Sequence, residues 1–134
     1  MSTISAQKLK TRAIELGFTL VGVIRAEPSP YLSAYERWIA AGMHAEMGYM
    51  ARPDRVARRR DLSVILPGVQ SMVCVGIDYG SSLPADLLAD PLRGRIAAYA
   101  WGVDYHDLIT PRLEALAEWM RAESGGMLQS EERR

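Results

Sequence analysis

The sequence predicts an α+β fold, with a central sheet flanked by helices in a single compact domain. Two short apolar runs, residues 19–24 and 69–78, are typical of buried strands. Elsewhere, apolar residues recur at steps of three and four, which is the period of amphipathic helices. The 134 residues, 49% of them hydrophobic, are enough to bury one core. We therefore predict one domain over residues 1–123 and a frayed tail over residues 124–134.

The first predicted helix begins at Ser5, a good N-cap residue, and ends at Gly17, a typical helix stop. Its apolar residues have helical spacing: Ala6, Leu9, Ala13 and Leu16. The apolar run at residues 19–24 follows directly. We therefore expect a helix that leads through a tight turn into the first strand.

The second predicted helix has Ser29 as its N-cap and Pro30 at its first helical position. Its apolar stripe consists of four residues: Leu32, Tyr35, Trp38 and Ile39. Gly42 is the expected stop signal. The pattern indicates an amphipathic helix with one face toward the core.

Residues 43–50 combine three methionines with a histidine and a tyrosine. Because methionine side chains are adaptable, this segment suits a wall against a bulky ligand. The alternative is a hydrophobic hinge between two helices. His44 has no second ligand at metal-binding spacing, so we interpret it as a structural residue.

Five arginines lie within residues 52–60, and Arg52, Arg55 and Arg59 share one face if this segment is helical. They are candidate phosphate contacts. The alternative is a solvated charged face that Asp54 and Asp61 neutralise. The formal net charge of zero argues against a strongly electrostatic nucleic-acid binder, but it leaves a local basic patch open.

The second predicted strand, residues 69–78, has a nearly unbroken apolar core, which predicts burial on both faces. Cys74, the one cysteine of the chain, lies inside it and is expected to be a buried core residue. A single buried cysteine suits a reducing cytoplasm. No apolar stretch approaches the roughly 20 residues needed to span a bilayer. We therefore expect a cytoplasmic protein without a membrane partner.

Residues 94–106 pack two tyrosines, a tryptophan, an aspartate and a histidine close together. The alternation of Ile96, Ala98 and Ala100 predicts a short strand. Gly102 then permits a turn, and Asp104 caps a helix. The last helix has an apolar stripe at helical spacing: Tyr105, Ile109, Leu113, Leu116 and Met120. Pro111 either kinks this helix or starts a new one with Thr110 as its cap.

The segment Y-A-W-G-V-D-Y-H, residues 99–106, closely resembles the epoxyqueuosine reductases. Three further segments resemble that family in the same order: E-L-G-F-T-L-V-G-V (15–23), W-I-A-A-G-M-H-A-E-M-G-Y-M (38–50) and R-R-R-D-L-S-V-I-L-P-G-V-Q-S (58–71). The resemblance extends over residues 5–122. Four ordered motifs are more specific than any one of them alone.

The resemblance implies an oxidoreductase of queuosine biosynthesis that uses cobalamin and iron–sulfur clusters to modify tRNA. This chain would be its N-terminal domain, which presents cobalamin to a ferredoxin-like half. The implied cofactor-binding residues are Tyr99, Ala100, Trp101, Gly102, Asp104, Tyr105, His106 and Met47. Arg52, Arg55 and Arg59 are the implied tRNA contacts. We identify neither a catalytic residue nor a metal ligand, because Asp104 is better explained as a helix cap than as an acid.

The chain departs from the family pattern in two ways. An iron–sulfur cluster needs about four cysteine thiolates, and the chain has one cysteine. The family's proton-donating aspartate, in a D-x-x-P-x-x-E context, is also absent. We therefore expect a truncated cobalamin-binding portion, inactive alone, whose partners are tRNA and a separate iron–sulfur half. A stand-alone corrinoid or tRNA binding module and a flavin-using oxidoreductase half remain alternatives.

Overall fold

The structure is a computed structural model that describes residues 4–80 and 83–125. Within these ranges the α-helices and strands follow the order α1 (Ala6–Glu15), β1 (Leu20–Arg25), α2 (Leu32–Ala40), α3 (Pro53–Arg60), β2 (Ser71–Gly76), α4 (Ala85–Ala89) and α5 (Tyr105–Glu123). Short 3-10 turns occupy Gly48–Ala51, Leu62–Val64 and Ala98–Ala100. The predicted α+β class is confirmed. Most of the predicted tail, residues 126–134, lies outside the described residues.

The chain forms two compact units. The first combines Met1–Gly22 with Cys74–Arg134, and the second is Val23–Val73. The first unit contains α1, α4 and α5, and the second contains α2 and α3. The predicted cofactor-binding segment at residues 99–106 therefore belongs to the first unit, and the predicted arginine patch to the second.

Strands β1 and β2 form an antiparallel two-stranded sheet. At one end the Thr19 N–H donates to the Gly76 carbonyl at 2.9 Å, and at the other the Ala26 N–H donates to the Gln70 carbonyl at 3.1 Å. The positions of the two strands are confirmed, but the predicted burial of the second strand on both faces is wrong. No residue of β2 is buried, and Cys74 is exposed, contrary to the prediction. An apolar run identifies a strand, whereas burial depends on elements packed against both faces.

The core of the first unit lies between α1 and α5. Its buried apolar side chains are Leu9, Ala13, Phe18, Leu116 and Ala117. Both predicted ends of α1 are confirmed, because the Ser5 hydroxyl accepts from the Lys8 N–H at 3.2 Å and Gly17 has a φ of +93°. Lys8 also pairs with Glu123 of α5. These contacts join α1 to α5. Leu9, Ala13 and Leu116 are buried and lie on the apolar stripes predicted for the two helices.

Helix α2 of the second unit begins at Leu32, two residues later than predicted. The prediction of Ser29 as N-cap is wrong, because its hydroxyl accepts from the Tyr31 N–H at 3.2 Å and forms a turn before the helix. The last turn of α3 contacts α2 through an ion pair of 2.6 Å between Arg60 and Glu36. The arginine-rich helix is thus held against α2.

Helix α5 continues through Pro111 as one element. Thr110 is therefore not the cap of a new helix, and its hydroxyl is buried without a hydrogen-bond partner in the described part of the chain. Helix α5 packs against α1, and this packing offsets the loss of the backbone hydrogen bond that Pro111 cannot donate.

Candidate functional site

The loop that precedes α5 is a turn rather than a strand. The predicted strand at Ile96, Ala98 and Ala100 is wrong, because Ala98–Ala100 is a 3-10 turn closed by a 3.1 Å bond from the Trp101 N–H to the Ala98 carbonyl. Alanine has a low strand propensity, and alternation alone did not provide a pairing partner. The Trp101 indole N–H donates to the Ile96 carbonyl at 3.1 Å, which fixes the ring across the turn.

Gly102 and Asp104 have the predicted local roles. Gly102 adopts a φ of +78°, which L side chains rarely tolerate. A Cβ at this position would have no other atom within 4 Å, so backbone conformation rather than space requires the glycine. Asp104 caps α5, because its Oδ1 accepts from the His106 N–H at 2.9 Å.

Asp104 also orients the ring of His106. The distance from His106 Nδ1 to Asp104 Oδ1 is 2.8 Å. Hydrogen bonds from the backbone N–H and the ring of His106 hold the pKa of Asp104 below its usual range. Because a carboxylate only accepts, Nδ1 carries the hydrogen of this bond, and Nε2 is left for another partner. The Tyr105 ring lies 4.0 Å from the His106 ring, so both are held at the start of α5.

We expect Asp104→Ala to lower the melting temperature at pH 7 by a few degrees, because the cap of α5 is lost. The aspartate contributes fully above its unfolded-state pKa of about 3.9, and this contribution disappears as the pH falls through its lower folded-state pKa. The difference between wild type and variant should therefore shrink as the pH falls through the folded-state pKa of Asp104. Thermal unfolding followed by circular dichroism measures both values.

Asp107→Ala is the matched control, because Asp107 lies in the same first turn and forms no side-chain cap. Its effect should be smaller at pH 7. Equal effects of the two substitutions, or a difference that persists at low pH, would contradict the capping role.

Exposed apolar residues are frequent within this segment and in the parts of the chain on either side of it. They include Tyr79, Leu88, Leu92, Ile96, Tyr99, Trp101, Val103, Tyr105 and Leu108. The rings of Tyr79 and Tyr99 meet edge to face, with centroids 6.4 Å apart. Exposed apolar residues concentrated in this way are typical of ligand or protein contacts.

Tyr79 was missed by the sequence analysis, although it contacts a predicted site residue. It follows β2 in a turn that is held by two bonds of 2.8 Å, from the Asp78 N–H to the Thr19 hydroxyl and from the Gly80 N–H to the Asp78 carboxylate. The signal was available as Asp-Tyr-Gly after a strand, which indicates a turn at a strand end. An aromatic residue in such a turn is a candidate binding residue.

The methionine-rich segment lies in the second unit, apart in the chain from the other seven predicted cofactor-binding residues. Met43 and Met47 are 67% and 42% exposed, and the segment connects α2 to α3, so both the ligand wall and the hinge stay open as interpretations. Ala45 adopts a φ of +47°, an uncommon conformation for a residue other than glycine. The ring centroids of Trp38 and His44 lie 6.1 Å apart, edge to face. Among the described residues the buried His44 Nδ1 has no hydrogen-bond partner.

The predicted arginine face is partly neutralised. Arg52, Arg55 and Arg58 all approach the Asp54 carboxylate, at 3.0, 3.9 and 4.0 Å. Desolvation raises the pKa of Asp54, but the hydrogen bond from Arg52 and the three arginine charges together lower it. Asp61 does not join them, because its carboxylate accepts from the Ser63 N–H and hydroxyl.

Arg59 has a different environment. Its guanidinium carbon lies 4.9 Å from the centroid of the Tyr35 ring. The Tyr35 hydroxyl donates to the Met50 carbonyl at 2.5 Å. Within residues 4–80 and 83–125, no carboxylate lies within ion-pair distance of Arg59.

Metal-binding and membrane-spanning features are not found among the described residues. No group of three or more histidine, cysteine or acidic side chains is placed to hold a metal ion there. In the same part of the chain, no helix is both long and apolar enough to cross a bilayer.

Comparison with known proteins identifies the family. The family model described as "Epoxyqueuosine reductase QueG, DUF1730" matches residues 59–131, more than half of the chain. Proteins named epoxyqueuosine reductase from Gloeobacter violaceus, Pseudomonas aeruginosa and Vibrio cholerae are 40%, 38% and 37% identical over 91%, 90% and 90% of this chain. The matched regions are 37%, 33% and 32% of those proteins.

The chain thus spans about a third of the length of these relatives. No solved structure matches it significantly. The family match includes the Tyr99 to His106 segment and most of the first unit. The chain therefore belongs to the epoxyqueuosine reductase QueG, DUF1730 family.

Proposed function

We propose that this chain is the N-terminal, cobalamin-binding portion of an epoxyqueuosine reductase of tRNA queuosine biosynthesis, acting in the cytoplasm. The observation that supports this most is the exposed aromatic segment at residues 99–106, which lies inside the matched family region. Its polar groups converge at the start of α5. Rings, small residues and oriented hydrogen-bonding groups are what a site for a large organic cofactor needs.

The residues of this segment fit a flat, bulky and partly apolar ligand. Tyr99, Trp101 and Tyr105 are 56%, 38% and 46% exposed, so their rings are free to contact a corrin. Ala100 and Gly102, which alternate with the aromatic residues, have small side chains, and no other atom lies within 4 Å of a Cβ placed at Gly102. His106, oriented by Asp104, offers Nε2 to an amide at the ring edge. Met47 belongs to the second unit and is 42% exposed, and its contact with the cofactor stays a prediction from the sequence.

Bound cobalamin would supply a cobalt centre for reduction, while the chain binds and orients the cofactor. The chain's own residues do not fit an iron–sulfur cluster, because Cys74 is the one cysteine in the sequence. We assign the supply of electrons to a separate iron–sulfur half. We assign tRNA backbone contacts to Arg52, Arg55 and Arg59, since guanidinium groups match phosphate geometry.

Titration with cobalamin tests this function. We expect the visible bands of cobalamin to change on mixing with the chain and the cofactor to co-elute with it, whereas flavin mononucleotide should do neither. Tyr99→Ala should weaken cobalamin binding by about two- to tenfold, because one aromatic contact is lost.

Tyr31→Ala is the control, since Tyr31 is also exposed, at 77%, but lies outside the proposed site. It should leave the affinity unchanged. Flavin retention without cobalamin retention would replace the proposed function with that of a flavin-using oxidoreductase half.

A further inference from the structure

The five arginines at residues 52–60 are not equivalent. Arg52, Arg55 and Arg58 share Asp54, and Arg60 pairs with Glu36. Arg59 alone among them lies on an aromatic ring and pairs with no carboxylate of the described residues. We propose that Arg59, positioned by Tyr35, is the strongest RNA phosphate contact of the group, and that Asp54 competes with RNA for the neighbouring arginines. This inference rests on the tRNA partner of the proposed function.

Tyr35 gives Arg59 a fixed platform. The Arg59 guanidinium carbon lies over this ring, 4.9 Å from its centroid, which is within the range of a cation–π contact. The ring itself is held, because its hydroxyl donates to the Met50 carbonyl and it lies 6.4 Å from the Trp38 ring. A held side chain loses less conformational entropy when it binds, so Arg59 is the best-prepared phosphate contact of the group.

Asp54 limits the other arginines. One carboxylate faces three guanidinium groups, and Arg52 donates to both of its oxygens, at 3.0 and 3.3 Å. Because the pKa of Asp54 lies below its usual range, the carboxylate stays charged at neutral pH. A phosphate that approaches Arg52 or Arg55 must therefore displace an internal anion or share the cation with it.

RNA is the partner that this arrangement favours. Residues 52–61 contain five arginines and two carboxylates, although the whole chain has a net charge of zero. A local excess of planar cations on a neutral protein attracts a polyanion at one place instead of everywhere. Phosphodiester oxygens can accept two parallel N–H bonds from one arginine guanidinium.

The test uses the full chain and an unmodified RNA hairpin, with dissociation constants measured by fluorescence anisotropy at two salt concentrations that differ fourfold. Each phosphate contact makes the affinity fall by about threefold over that interval. Arg59→Gln should therefore reduce the salt-dependent fall in affinity by about threefold, the contribution of one phosphate contact. Arg60→Gln is charge-matched, since both substitutions remove one positive charge from α3, and it should leave the salt dependence nearly unchanged.

Two further substitutions test the positioning and the competition. Tyr35→Phe retains the ring but loses its hydrogen bond to the Met50 carbonyl, so it should weaken RNA binding less than Tyr35→Leu, which should lose most of what Arg59→Gln loses. The double variant Tyr35→Leu/Arg59→Gln should bind no more weakly than Arg59→Gln, because Tyr35 acts through Arg59. Asp54→Asn should tighten binding several-fold and steepen the salt dependence, since three arginines lose their shared anion.

Equal effects of Arg59→Gln and Arg60→Gln would overturn the assignment of the contact, and unchanged affinity of Asp54→Asn would overturn the competition. If Tyr35→Leu does not fold, as judged by circular dichroism, the comparison of Arg59→Gln with Arg60→Gln still tests the phosphate contact, and Tyr35→Phe still tests the positioning. Cobalamin binding is measured on the same samples. Cobalamin binding without an effect of Arg59→Gln on RNA overturns this inference alone, whereas absent cobalamin binding by the wild type overturns the proposed function.

Discussion

Phe18→Ala is expected to destabilise the first unit by about 3–5 kcal/mol, the largest effect of any single substitution considered. Phe18 is 2% exposed and is the largest fully buried side chain of the described residues. It follows Gly17, and its N–H donates to the Ala13 carbonyl at 3.1 Å. Because small domains have only about 5–15 kcal/mol of stability, this loss approaches the whole free energy of unfolding.

Urea unfolding measured by circular dichroism gives the free energy of the change, provided that the m-value is unaltered. Leu92→Ala is the control, since Leu92 is 94% exposed and its truncation should change stability by less than about 0.5 kcal/mol. A small effect of Phe18→Ala would mean that the α1–α5 core does not determine the stability of this unit.

The ends of helices could be predicted from the sequence because capping is local. Ser5 and Asp104 bond to N–H groups two or three residues away, and Gly17 and Gly102 adopt positive φ values at the predicted turns. All of these interactions lie within one turn of chain. A short window of sequence therefore contains the information that determines them.

Burial and strand pairing could not be predicted in the same way, because they depend on distant parts of the chain. Cys74 lies in a strand as expected, yet it is exposed, since nothing in its own segment specifies what covers it. Residues 96–100 alternate like a strand but form a turn. Their small side chains do not distinguish the two states, and a partner strand is a property of the fold.

In the candidate sites, too, local features could be predicted and contacts between distant parts of the chain could not. The sequence pointed to the arginines of α3 and to the aromatic segment before α5. It offered neutralisation by Asp54 as an alternative, and the structure places three arginines at that carboxylate. It did not reveal that Arg59 lies over Tyr35, because that contact joins two helices. Tyr79 was missed for the same reason, since its contact with Tyr99 joins two separate turns.

Gly102→Val is expected to abolish the stabilisation that cobalamin gives to the wild-type chain. A ligand that binds only the native state at a hundredfold excess over its dissociation constant contributes about 2.7 kcal/mol. Gly102 connects the Trp101 ring to the Asp104 cap with a φ of +78°. A β-branched residue disfavours that conformation by roughly 1–2 kcal/mol or more, so the backbone should rotate and separate the rings from His106. Melting temperatures with and without cobalamin measure the effect.

Gly94→Val separates this effect from the simple loss of a glycine. A Cβ at Gly94 also meets no atom within 4 Å, but Gly94 does not adopt a positive φ. Its substitution should leave the cobalamin-induced rise intact. Since the space beside Gly102 is open, a lost rise in Gly102→Val reports either a changed backbone or a side chain in the path of the ligand, and not a steric clash within the protein. If Gly102→Val retains the full rise, cobalamin does not use the conformation of residues 99–106, and the proposed cofactor contacts must lie elsewhere on the chain.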